Sequence, residues 1–224
     1  MTDAREAVLG RIRAALGGAA AEEDARAEYT AIPRTYIRAG RLDAEARLEL
    51  FVERLRDYDA QVRKTSEEGM RDAIGASVAG GAGRFVVAEG FPVESLPSGI
   101  AFLSEAQATV ADLDACDGVI TSCTVAVASS GTIVLAHGPG EGARRLTLVP
   151  DRHVCVVRAA QVVETMPEAM EWLTPLGASR LTFISGPSAT ADIEMTRIRG
   201  VHGPRYLEVV LVRGPAVASM LDRR

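Results

Sequence analysis

Short apolar runs, only a few residues long and bounded by Gly, Pro or polar residues, set the tightest constraint on how this chain can fold. Phe85-Val86-Val87-Ala88 and Ile100-Ala101-Phe102-Leu103 are uninterrupted runs of this kind, and Leu207-Glu208-Val209-Val210-Leu211-Val212 is broken only by Glu208. Such runs read as strands buried on both faces, which is the signature of a parallel sheet. Helical periodicity separates the early ones. Residues 43–58 carry Leu48, Phe51, Val52 and Leu55 on one face. A short strand at 60–63 follows, and then the pattern Thr65-x-x-Glu68 reads as a capping box. It opens a helix carrying Met70, Ile74 and Val78 that closes at Gly80-Gly81. Alternating strand and helix predicts an α/β layer with a mostly parallel sheet.

The rhythm changes after Val119. Strand-like runs at 119–121, 125–127, 132–135, 146–149 and 153–157 follow one another through short turns, which predicts antiparallel pairs here. A helix with Pro167 in its first turn follows, and strands at 181–184 and 207–212 complete the sheet. Upstream, residues 1–16 read as a helix ended by Gly17-Gly18. Residues 19–41 read as a polar, irregular arm whose Ile32, Tyr36 and Ile37 are available to dock on the main domain, the default for a loop, or on a partner. The expected division is therefore 1–42, helix and extended arm, and 43–224, the α/β domain. There is no internal repeat or low-complexity block.

Composition excludes several function classes. The chain has 224 residues, 47% of them hydrophobic, and a formal net charge of −5. That is enough apolar chain to bury a core without disulfide or metal staples. Mild acidity argues against nonspecific nucleic-acid binding. Lys64 is the only lysine, so a Walker P-loop is absent and any Schiff base would need that one residue. Cys116, Cys123 and Cys155 fit no zinc spacing and fall short of the four thiolates that usually hold an iron–sulfur cluster. No run of apolar residues resembles a signal peptide or a membrane span, so a cytoplasmic, reduced protein is the expectation.

Three stretches hold more Gly, Ser and charge than strand connections require. Ser129-Ser130-Gly131-Thr132 is a small-residue turn where a ligand could approach backbone N–H groups; the same residues also make an ordinary tight turn. The second, Ser185-Gly186-Pro187-Ser188-Ala189-Thr190-Ala191-Asp192-Ile193-Glu194, follows a buried strand. A helical turn is expected to start there at the carboxyl end of the sheet. Its N–H groups and the hydroxyls of Ser185, Ser188 and Thr190 suit a carboxylate or phosphate. Asp192 and Glu194 suit base, nucleophile or metal-ligand roles, or simple stabilisation of a first turn. In the third, Gly200-Val201-His202-Gly203-Pro204-Arg205, the glycines and proline present His202 for proton transfer or ligand anchoring. Only Met195 to Arg199 separates the second and third stretches, so they are expected to face one another.

Gly138-Pro139-Gly140-Glu141-Gly142-Ala143 mimics a dinucleotide fingerprint, with Glu164 about twenty residues on. The run after it reads as strand rather than the helix the fingerprint requires, so it is expected to be a mobile hairpin loop. Arg144 and Arg145 could reach an anionic ligand at its rim.

The motifs Ser129-Ser130-Gly131-Thr132-Ile133-Val134-Leu135, Leu148-Val149-Pro150-x-x-His153-Val154-x-Val156-Val157, 185–194 and Gly200-Val201-His202-Gly203-Pro204, in this order, resemble the LUD-domain family in its lactate utilization protein C branch. The resemblance covers roughly residues 45–212. It implies a three-layer α/β fold, with a mixed, mostly parallel sheet, of the kind shared by CoA transferases, ribose-5-phosphate isomerase and formyltetrahydrofolate cyclo-ligase. It implies a part in oxidising L-lactate to pyruvate alongside iron–sulfur partner proteins, which suits three scattered cysteines. No cofactor is assigned to the chain itself, and no metal. Ser129-Ser130 stand where the family often has an acidic residue and Thr, and Ala189 where it often has Arg. The expected site combines Glu194 and His202 as catalytic groups with a ligand shell of Ser130, Gly131, Thr132, Ser185, Gly186, Ser188, Thr190, Asp192 and Gly203, taking a small anionic ligand. The competing expectation is a stand-alone CoA-transferase-like or cyclo-ligase-like enzyme acting on an acyl-CoA, nucleotide or folate, with Glu194 as nucleophile or base.

Overall fold

In the computed structural model, which describes residues 4–17, 22–79, 83–177, 180–190, 198–200 and 202–214, the first element is helix α1, Ala4–Ala15. It ends as the sequence suggests: Gly17 takes a left-handed φ of 75° and its N–H bonds Ala14 O. Helix α2, Glu22–Ala31, corrects the expectation of an irregular arm at 19–41. Its segment, EEDARAEYTA, has no apolar stripe, yet Glu, Ala and Arg are strong helix formers, and propensity decides where packing does not. Arg34 closes this stretch, donating to Tyr29 O and Ile32 O and stacking 4.6 Å from the Tyr29 ring. Met1–Tyr36 and Ile37–Arg224 form two separate units.

The second unit opens with α3, Ala44–Asp57, capped by the Asp43 carboxylate, which accepts from Ala46 N at 2.8 Å. Strand β1 (Gln61–Ser66) and helix α4 (Met70–Val78) follow. The expected capping box does not form. Thr65 and Ser66 are the last two residues of β1, in register with Val212 and Arg213, so strand pairing claims them and the helix begins four residues later. Then come β2 (Arg84–Val87), β3 (Ala101–Ser104), α5 (Val110–Ala115) with its own Thr109/Asp112 capping box, and β4 (Gly118–Thr121). The remaining elements are β5 (Val125–Val127), β6 (Thr132–Leu135), β7 (Arg152–Arg158), β8 (Val162–Val163), α6 (Met166–Leu173), β9 (Thr182–Ile184), β10 (Ala189–Thr190), β11 (Ile198–Arg199) and β12 (Tyr206–Arg213).

Six strands form one sheet in the order β1-β12-β7-β4-β2-β3, every pair parallel. This is the mixed α/β architecture with a mostly parallel sheet that the apolar runs predict. A second sheet, β8-β5-β6-β9, contains the antiparallel pairs expected after Val119. Strand alternation sorts the core. Leu207, Val209 and Leu211 pack with Phe51 and Leu55 of α3 and with Ala126 and Ile133 of the second sheet. Val210 and Val212 point the other way, against Met70, Ile74 and Val78 of α4. The outer face of the second sheet is covered by Ala169 and Leu173 of α6. Each fully buried Phe, Leu or Val contributes about 1.5–3 kcal/mol relative to exposure.

Two further expectations fail. Residues 146–149 are not a strand: a 3-10 turn runs Arg144–Thr147, closed by Arg144 Nη1 donating to Thr147 O and Oγ1 at 3.0 and 2.7 Å. The loop before it is therefore no hairpin. Its Glu141 is buried and accepts from Thr124 Oγ1 and Ala136 N at 2.5 and 2.6 Å, tying the Gly-rich stretch to the sheet. Nor does a helix start at Ser188–Thr190, because Ala189–Thr190 pairs antiparallel with Ile198–Arg199; residues 191–197, where the rest of the expected turn falls, lie outside the described residues.

Candidate functional site

A cleft of about 220 Å³ gathers most of the second and third motifs. Ser185, Gly186 and Ser188 line one wall, and His202 and Gly203 line the other. The facing expected between them is real in the backbone. Ser188 N donates to Pro204 O at 2.8 Å, His202 N donates to Ser188 Oγ at 3.0 Å, and Gly200 N donates to Ser188 O at 2.9 Å. Ser188 thus latches the loop that carries His202, whose side chain is exposed. Behind that loop, Arg205 makes a two-pronged ion pair with Asp151 at 2.5 and 2.8 Å.

The first motif stands behind the cleft. Ser130 Oγ, Thr132 Oγ1 and Ser185 Oγ form a chain of hydroxyls, 2.7 and 2.8 Å apart, with Thr132 buried in the middle. It orients Ser185, the one member that reaches the cleft. Gly131 has a packing reason to be glycine: at φ 60° it lies so close to α3 that a Cβ would sit 2.9 Å from Arg54 C. Gly186, at φ 88°, abuts the end of the same helix, where a Cβ would meet Tyr58 Cβ at 2.5 Å. Helix α3 therefore fixes the turn before β6 and the turn after β9 at once. Asp192 and Glu194 lie outside the described residues, as does the Thr190 side chain, so the catalytic pairing of Glu194 with His202 is left as an expectation.

Sequence reasoning missed several lining groups. His153, buried on β7, borders the cleft together with Thr147 and Thr182, beside Arg144, which the sequence does mark as able to reach an anion. His153 Nε2 lies 2.8 Å from Thr121 Oγ1, and Cys155, two residues along the same strand face, lies beneath. The Cys155 thiol is held down to about 6, first by a hydrogen bond from Cys123, with His153 and Thr121 adding to it against the opposing effect of burial. Cys123 is pushed well above its ordinary value by that same hydrogen bond and then by burial. Among the described residues no group of three His, Cys, Asp or Glu side chains is placed to hold a metal.

A second, larger cavity of about 640 Å³ lies against the Gly-rich loop, bordered by Glu89, Glu105, His137, Arg144, Arg145 and Arg180. A signal for it exists in the sequence: His137-Gly138-Pro139 repeats the His202-Gly203-Pro204 tripeptide. Glu164, the counterpart of the fingerprint's ribose-binding acid, instead accepts from Arg41 N and Leu42 N at 2.7 Å each.

Known proteins resemble this chain over most of its length. A family model described as LUD domain matches residues 2–212. A protein of Deinococcus radiodurans named Lactate utilization protein C is 42% identical over 168 residues, 74% of this chain and 79% of that protein. One of the same name from a Geobacillus species is 34% identical over 99 residues, spanning 42% of this chain and 41% of that relative. A crystal structure of a DUF162 family protein from Deinococcus radiodurans superimposes with a TM-score of 0.67 at 36% identity, covering 77% of this chain and 99% of that one.

Proposed function

This chain belongs to the LUD-domain family, and from that membership we propose that it is a component of an L-lactate utilisation system that holds a small carboxylate in the Ser185–Ser188–His202 cleft. The relatives named Lactate utilization protein C support the role. The observation that carries the site is the convergence of Ser185, Ser188, Thr147, His202 and the Arg144 guanidinium on one cleft of about 220 Å³. That volume suits a three-carbon acid. Arg144 is the cation at hand for the carboxylate, and serine and threonine hydroxyls are there for its second oxygen and for the 2-hydroxyl.

Oxidation of L-lactate to pyruvate removes two electrons and two protons, from the C2–H and the O–H. In this reading the electrons pass to iron–sulfur partner proteins in the cytoplasm. The chain contributes binding, orientation and, at His202, an acceptor for the hydroxyl proton; the proton from C2 leaves to solvent as the two electrons pass to the partner proteins. The test is growth of the host on L-lactate with Ser188→Ala and His202→Ala, each checked for a native circular dichroism spectrum. Both variants are expected to fold and to lose growth. Growth at the wild-type rate for both would remove the site assignment.

A further inference from the structure

The larger cavity shares Arg144 with the cleft above and has no other part in that reading, and its charge and construction give it a chemistry of its own. It sits where the parallel strands end: Glu89 follows β2 by two residues and Glu105 follows β3 directly. Ligands of open parallel sheets collect at this edge. Its volume, about 640 Å³, falls in the range of pockets that enclose a cofactor-sized molecule.

Three arginines border this space. Arg144, Arg145 and Arg180 make no ion pair among the described residues, whereas Arg54, Arg63, Arg152, Arg158, Arg205 and Arg213 each pair with a carboxylate. The acid that could have neutralised them is otherwise engaged. Glu105 is buried, and its two oxygens accept from Ala143 N at 2.8 Å and Glu89 N at 3.3 Å. It acts as a clip on the loop, and only the exposed Glu89 opposes the arginines at the rim.

The wall is built before any ligand arrives. His137 holds a left-handed backbone, φ 60°, which a residue with a Cβ adopts only when its surroundings enforce it. The enforcement is visible. The ring lies 2.7 Å from Gly142 O through Nδ1 and 2.9 Å from Thr182 Oγ1 through Nε2. Gly140 N donates to Glu89 O, and Ser122 N donates to Gly140 O, both at 2.6 Å. Arg144 is pinned by Thr147 and Arg145 donates to Glu105 O at 3.3 Å, so most of the guanidinium N–H groups keep their capacity for an added anion.

We propose that this cavity is a second ligand site, adjoining the carboxylate cleft at Arg144, and that it takes a phosphate-bearing anion on Arg145 and Arg180. Neighbouring planar forks fit the paired oxygens of a phosphate or diphosphate, and a single carboxylate would leave part of the set unused.

Isothermal titration of the full chain with inorganic phosphate, pyrophosphate, adenosine triphosphate and coenzyme A tests this. At least one probe is expected to bind saturably, more weakly as salt is raised. Arg145→Ala and Arg180→Ala should each weaken it by at least about tenfold. Pyrophosphate binding as tightly as the nucleotides would assign the site to the anion itself; tighter binding of either nucleotide would assign the organic part as well. Ser188→Ala, which lines only the smaller cleft, should leave the titration unchanged, so failure of this site and failure of the lactate reading are distinguishable. No saturable binding of any probe, or binding untouched in Arg145→Ala and Arg180→Ala, overturns the proposal.

Discussion

Gly131→Ala isolates the contact on which the candidate cleft is hung. A methyl group there meets Arg54 C and Cβ at 2.9 Å and Leu55 N at 3.1 Å, all in a helix whose Phe51 and Leu55 are fully buried. Helix backbone cannot move aside as the end of a flexible side chain can. Two costs therefore add. Holding alanine at φ 60° costs about 1–2 kcal/mol, and forcing α3 away from the turn costs about 1–3 kcal/mol in lost packing. The expected loss is about 2–5 kcal/mol, read as a lower urea midpoint with an unchanged slope. The control is Gly138→Ala, where a Cβ meets nothing within 4 Å, and whose effect should stay within about 0.5 kcal/mol. If Gly131→Ala matched that control, the helix contact would not be what requires glycine here. If it also abolished growth on lactate while fully stable, close approach of a ligand would be the better account.

Other consequences can be checked in parallel. Thr132→Val keeps shape but removes the central hydroxyl between Ser130 and Ser185; it should cost about 0.5–1.5 kcal/mol and weaken carboxylate binding in calorimetry, and unchanged binding would deny the chain a positioning role. Glu141→Ala leaves Thr124 Oγ1 and Ala136 N without their acceptor, so a loss of about 2–5 kcal/mol should come with faster amide exchange across 136–142. The cysteine pair predicts a pH dependence. With Cys155 at about 6 in the folded chain against an ordinary 9.0, the unfolded chain binds more protons between these values. Its contribution to stability rises from pH 6 to pH 9 and is lost as pH falls through 6, whereas Cys123, shifted upward, works against folding above pH 9. Ultraviolet titration should find one thiolate forming near pH 6 and shifted upward by Cys123→Ala; ionisation of all three cysteines in the ordinary range would refute the pairing.

The sequence was most readable where one force dominates. Buried parallel strands announce themselves as apolar runs, and α3 declares both ends through Asp43 and its Leu48-Phe51-Val52-Leu55 stripe. Reading failed where local and long-range demands compete. Thr65 looks like a helix cap until β12 claims it for the sheet, and 146–149 looks like strand until Arg144 folds back on Thr147. The cleft was half visible: Ser188 and His202 lie on loops joined by a short connection, so their meeting follows from chain length. His153 was hidden because a histidine inside an apolar run looks like any core residue, and its access to the cleft depends on which loops cross above it. The larger cavity was legible only in part: Arg144 and Arg145 stand at the rim of the Gly-rich loop, but its third arginine comes from a separate loop and its acids from two strand ends.

The strand order carries a consequence for how the protein is made. β1 lies at an edge of the sheet, and its one strand neighbour is β12, with Gln61 facing Glu208. Those partners are about 150 positions apart, a separation that slows folding through the entropy of closing so long a loop. On the ribosome, β1 therefore waits with its hydrogen-bonding edge unmatched until Tyr206–Arg213 has emerged, long after α3 and α4 can form. The central sheet is completed after synthesis of its last strand, not during it. A nascent chain arrested before that strand should engage chaperones rather than accumulate as a folded fragment.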